Sequence, residues 1–149
     1  MRQLSRVIAT VCGIGHAPIA PGTWGSLAGM GLWYVWHPTV AMQWVVCGIL
    51  LVIGLITADI TAKNAGAKDP SCVVIDEVAG MWIALIGLPQ SMPIAVAAFL
   101  LFRLFDIAKW PPMKQLERLP GGLGIMADDL AAGILARLII GWGLVWLGG

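Results

Sequence analysis

Between Arg6 and Asp59 this chain carries no Asp, Glu, Lys or Arg. If such a run enters a bilayer, its backbone polar groups must be satisfied within the segment, and helix is the conformation that does so. Four strongly apolar stretches follow that logic, Leu27 to Trp36, Val40 to Ala58, Val78 to Phe102 and Leu130 to Leu147, with loops rich in Gly and Pro between them. The second and fourth approach the roughly 20 residues needed to cross the hydrocarbon core. Val78 to Phe102 is broken at Gly87-Leu88-Pro89-Gln90-Ser91-Met92-Pro93, which predicts a hairpin of two arms of about ten residues, near 15 Å each. Leu27 to Trp36 predicts a first pass that is tilted or incomplete. The expected fold is all-α: a multi-pass membrane helical bundle with a central helical hairpin, formed as a single membrane-embedded domain over residues 1–149.

Composition agrees, with 59% hydrophobic residues and a mean hydropathy of +0.88. A formal net charge of +1 with scattered basic residues leaves no surface for a nucleic-acid backbone, so nucleic acid is excluded as a partner. Cys12, Cys47 and Cys72 have no ligand spacing and read as small apolar residues. The start, Met1 to Arg6, lacks a cleavage pattern and is expected to be retained. Arg2 and Arg6 lie before the first apolar stretch, and Lys63, Lys68, Arg103, Lys109, Lys114 and Arg118 fall in the loops that carry the carboxylates, all of which the positive-inside rule assigns to the cytoplasm. No feature sets the oligomeric state.

Against this background the carboxylates stand out. Of eight in the chain, five form the runs Asp76-Glu77, Asp106 and Asp128-Asp129 inside apolar sequence. Charged groups there are costly unless they are paired or bind a metal. On a helix Asp76 shares its face with Gly80, Ala84 and Gly87, and Asp129 with Gly133 and Ala136. Small residues beneath an acid let another helix backbone approach closely, so two acid-headed helices are expected to pair. The competing use of such acids is as N-caps and helix-dipole partners. Asp106, three residues from both Arg103 and Lys109, fits an intrahelical ion pair as well as a functional role. Asp59 and Lys63 read as an i, i+4 pair, and Asp69 before Pro70 as a turn former.

Pro18 to Ser26 reads as a rigid loop that offers backbone N–H groups, Thr23 and Ser26 to a phosphate, or as a plain turn with Ser26 near a helix cap. No cysteine-phosphatase loop, DxD motif or serine triad is present, so hydrolysis by metal-activated water remains. An acid cluster poor in His and Cys suits Mg²⁺. The alternative class is a small membrane ion or divalent-metal transporter, which would be expected to show an inverted repeat.

At these residues the chain resembles the phosphatidylglycerophosphatase A family. The pieces that carry the resemblance are PIAPGTWGSL from Pro18, VVIDEVAGMWIAL from Val73, FLLFRLFDIAKWPP from Phe99 and GGLGIMADDLAAG from Gly121. The resemblance implies a Mg²⁺-dependent phosphatase of the bacterial inner membrane, its site facing the cytoplasm, that converts the anionic phospholipid phosphatidylglycerophosphate to phosphatidylglycerol. It places the family's acidic positions on Asp76, Glu77, Asp106, Asp128 and Asp129, and its basic positions on Arg103 and Lys109. The expected roles are metal ligation by Asp76, Glu77, Asp128 and Asp129, and phosphate binding by Thr23, Ser26, Arg103 and Lys109. Asp106 would orient Arg103 or complete the metal shell. The family tends to have Lys-Pro-x-Pro where this chain reads Lys109-Trp110-Pro111-Pro112.

Overall fold

Proline, glycine and threonine set the helix ends. Pro21 opens one helix at a position where its missing N–H is not needed. Thr39 caps the next through a hydrogen bond accepted from the Met42 N–H at 3.4 Å. Gly66, at φ +66°, closes that helix in the left-handed conformation. The computed structural model describes residues 2–148; Met1 and Gly149, the ends of the expected domain, lie outside the described residues.

Among the described residues the chain is all-helical, with no strand. Its helices are α1 (Arg2–Ala9), α2 (Pro21–Trp36), α3 (Val40–Ala65), α4 (Ile75–Leu85), α5 (Met92–Ala108), α6 (Pro111–Leu116) and α7 (Gly122–Gly148). The expected hairpin is present as α4 and α5, turning at Gly87 with φ +66°. Its arms are unequal, 11 and 17 residues. The second arm runs past Phe102 to Ala108, and in its last turns Arg103 and Asp106 pair along one face at 2.6 Å.

The short arm α4 is the centre of the molecule. Ile75, Asp76, Val78, Ala79, Gly80, Met81, Trp82, Ala84 and Leu85 are all buried, because α2, α3, α5 and α7 pack around it. Those outer helices turn apolar side chains outward. Met92, Val96, Leu100, Leu104 and Ile107 form an exposed row along α5; Met42, Val45, Ile49, Val52 and Ile56 do so on α3, and Ile134, Leu138, Trp142 and Val145 on α7. Among the described residues, α3 is long and apolar enough to cross a membrane by length and composition.

The far end of the hairpin is fastened by polar groups. Gln43 accepts the Gly87 N–H at 2.8 Å and donates to the Pro38 carbonyl at 2.9 Å, while Trp82 Nε1 donates to the Gln43 carbonyl at 3.0 Å. Arg137 Nε donates to the Ile86 carbonyl. These bonds satisfy backbone groups that the end of α4 would otherwise leave buried without partners.

Candidate active site

The crossing of α4 and α7 builds the site. At Gly133 an added Cβ would stand 2.2 Å from the Gly80 carbonyl oxygen, and at Gly80 it would stand 2.6 Å from the Asp129 carbonyl oxygen. The two backbones therefore touch, as small-residue crossings allow. Asp76 and Asp129 each stand one turn before the contacting glycine of their own helix, so contact there brings the acids together. Asp76, Glu77 and Asp129 each offer a carboxylate oxygen, all within 4.8 Å of one another. On the other side of α4, α2 lies close through Gly22, Gly25 and Gly29, and a Cβ at Gly22 would come 2.1 Å from Glu77 Oε1.

These acids are deeply placed, with Asp76 6% and Asp129 4% exposed. Asp76 Oδ1 and Glu77 Oε2 are buried without a hydrogen-bond partner among the described residues. Burial first, and the Glu77 charge second, push the carboxyls of Asp76 and Asp129 well above the usual carboxylate range. Three such groups this close cannot all stay ionised without a cation among them.

Asp128 is paired with Lys109. It stands outside that grouping, 3.5 Å from Lys109 Nζ, and Lys109 also reaches Glu117 at 3.1 Å. Burial raises its pKa to about 6 against the opposing pull of Lys109. Arg103 Nη1 lies 2.6 Å from Asp106 Oδ2 and donates to Ser26 Oγ at 3.4 Å, and its buried Nε has no partner among the described residues. A cavity of about 320 Å³ joins the parts: Asp76, Glu77, Asp106, Asp128, Asp129, Arg103 and Lys109 all line it, with Gly22, Asp69 and Ser71.

A family model described as Phosphatidylglycerophosphatase A matches residues 7–143. The chain belongs to the phosphatidylglycerophosphatase A family. Among curated relatives, phosphatidylglycerophosphatase A of Escherichia coli K12 is 37% identical over 140 residues, covering 90% of this chain and 80% of the relative. The Haemophilus influenzae protein of the same name is 36% identical over 138 residues, covering 90% and 85%. A Bacteroides thetaiotaomicron protein provisionally assigned as a phosphatidylinositol-3-phosphatase is 35% identical over 142 residues, covering 90% and 89%. No solved structure matches. Membership in the phosphatidylglycerophosphatase A family decides for a phosphatase over a transporter.

Two sequence expectations about this family member's site need correction. The segment with Thr23 and Ser26 is not a loop: both lie inside α2, and neither lines the cavity. Ser26 is buried and donates to the Gly22 carbonyl at 2.8 Å, so its hydroxyl serves the helix and Arg103. The acids Asp128 and Asp129 do not head their helix, which begins six residues earlier at Gly122. The N-cap there comes from α3, where Asp59 accepts the Gly122 N–H at 3.3 Å while holding Lys63 at 2.6 Å. Conversely, Asp69 and Ser71 line the cavity. Their signal was position, since Lys68-Asp69-Pro70-Ser71 leads directly into the acid-bearing α4.

Proposed function

We propose that this chain is a Mg²⁺-dependent lipid phosphatase that hydrolyses phosphatidylglycerophosphate to phosphatidylglycerol and phosphate at the cytoplasmic face of the bacterial inner membrane. The observation that carries this reading is the cluster of three carboxylates within 4.8 Å, Asp76 and Asp129 buried and Glu77 half-buried, with two of their oxygens unpartnered among the described residues, opening into a cavity that also holds Arg103. The family and the names of two relatives support the lipid.

An all-oxygen donor set with orphaned buried atoms fits a hard divalent ion, and Asp76, Glu77 and Asp129 would hold it. When bound, Mg²⁺ would neutralise the phosphomonoester and make water a better nucleophile. The remaining work falls to the chain. Asp106 holds one corner of the Arg103 fork, so the fork meets phosphate oxygens already oriented. Asp128 anchors Lys109 at the cavity wall, where its charge favours an anionic headgroup. Gly22 leaves room for Glu77 to reach the cluster.

The membrane reading rests on the outward apolar rows and on tryptophans. Exposed Trp24 and Trp110 lie at the acid-bearing end, and exposed Trp36, Trp44, Trp142 and Trp146 at the opposite one, as in interfacial aromatic belts. In this placement α2, α3, α5 and α7 form a multi-pass bundle around α4, as one membrane-embedded domain. The acids lie at its inner edge, outside the spanning stretches, and the acyl chains stay in the bilayer.

The test is phosphate release by purified protein in detergent from phosphatidylglycerophosphate, phosphatidylinositol 3-phosphate and phosphatidic acid, with Mg²⁺ and with chelator. Fastest release from phosphatidylglycerophosphate, lost with chelator, is expected. Preference for the inositol lipid would move the assignment to the activity named for the Bacteroides relative. Arg103→Lys should lower turnover by about 10²-fold with little change in melting temperature, because a planar fork becomes a point charge. A variant that only melts earlier would make Arg103 a structural partner of Asp106.

A further inference from the structure

Outside the acid-lined cavity, α1 and the last turns of α3 enclose a second one of about 410 Å³, walled by Arg2, Gln3, Arg6, Thr61, Asn64 and Cys72. Its chemistry is the reverse of the first. Among the described residues no acid lines it, and neither Arg2 nor Arg6 enters a salt bridge. Arg6 Nη2 donates to His16 Nε2 at 3.1 Å, which compensates none of its charge.

Thr61 supplies the independent observation. A helical threonine ordinarily turns its hydroxyl onto a carbonyl one turn back, and Thr57 does so, donating to Ile53 at 2.7 Å. Thr61 is 6% exposed, yet its Oγ1 is buried with no hydrogen-bond partner among the described residues. Two guanidinium groups, two side-chain amides and a free hydroxyl around one space call for an anion with several acceptor oxygens.

On α1, Ser5 and Ala9 are buried against the bundle while Leu4 and Val7 are exposed. A short helix with arginines beside its buried face and apolar residues turned outward suits the surface of a bilayer. We propose that this cavity is a second phosphate site, separate from the hydrolytic one, and that it takes the headgroup phosphate of an anionic phospholipid lying beside α1. The preference for phosphate follows from the cavity walls; the lipid source rests on the membrane placement proposed above.

The test uses purified protein in nanodiscs of equal parts phosphatidylcholine and phosphatidylserine, neither of which carries a phosphomonoester. Lipid retained after transfer to mild detergent is read by native mass spectrometry. Wild type should retain the serine lipid over the choline lipid by about ten-fold. The Arg2→Gln/Arg6→Gln variant should lose that enrichment, and Thr61→Val, close in shape, should lower it about five-fold. Thr61→Val decides if the double variant fails to fold. Phosphate release from detergent-dispersed substrate should not change in either, and its absence from every form would sink the hydrolytic reading without touching the retention result. Equal retention of the two lipids by wild type, or unchanged enrichment in the variants, overturns the site. Displacement of the lipid by millimolar inorganic phosphate overturns the lipid source.

Discussion

Replacing Glu77 by Gln is expected to lower phosphate release by on the order of 10³-fold while the protein still inserts and folds. The substitution keeps the shape of a side chain that sits against Gly22 and removes one of three carboxylate charges within 4.8 Å. Without a cation those charges repel in a buried setting, so the metal-free variant should melt no lower than wild type, and somewhat higher. With Mg²⁺ the order should invert. Wild type should gain stability by mass action, about 2.7 kcal/mol at a hundred-fold excess over the dissociation constant, and Glu77→Gln should gain little. Asp129→Asn should behave alike. Asp128→Asn should lose only about ten-fold, since its carboxylate serves Lys109 from outside the cluster. Activity and Mg²⁺-dependent melting measured together check this. Near-normal turnover in both Glu77→Gln and Asp129→Asn would end the metal-cluster assignment, and equal losses at Asp128 would return it to the ligand set.

The acid pairs were legible because nothing else in apolar sequence explains them, and the small residues one and two turns below them named the helix faces that meet. The pairing of α4 with α7 through Gly80 and Gly133 is that reading realised. Legibility failed where a local pattern had a tertiary cause. Pro21-Gly22-Thr23-Trp24-Gly25-Ser26 has the composition of a loop, but proline is at home in a first helical turn, and the glycines at 22, 25 and 29 are a contact stripe against α4. Only the partner helix distinguishes the two. The start of α7 was missed for a related reason. Its cap is Asp59, on a distant helix, so the residues just before Gly122 carry no capping signal. Arg137, unremarkable in sequence, proves to donate to the Ile86 carbonyl at the end of α4, a role that exists only once the hairpin has formed.

Adding one methyl group at Gly133 should damage both fold and chemistry. The new Cβ would meet the Gly80 carbonyl oxygen at 2.2 Å, and the Gly80 Cα lies 3.2 Å away. Both are backbone atoms of the central helix, which is packed on every side, so neither can swing aside as a side chain would. The strain, about 1–3 kcal/mol for overpacking, exceeds the gain of up to about 1 kcal/mol from Gly to Ala within a helix. Relief requires α7 to slide or tilt from α4, and the crossing sits one turn from Asp76 on one helix and from Asp129 on the other. Gly133→Ala is therefore expected to melt several degrees lower and to lose phosphate release out of proportion to the folded fraction that remains. Gly143→Ala, on the same helix with nothing within 4 Å of its added Cβ, is the control and should melt at or above wild type. Melting in detergent and phosphate release per folded molecule measure the two effects separately. Wild-type values for Gly133→Ala would mean that α4 and α7 do not touch there, and the convergence of Asp129 with Asp76 and Glu77 would fall with that contact.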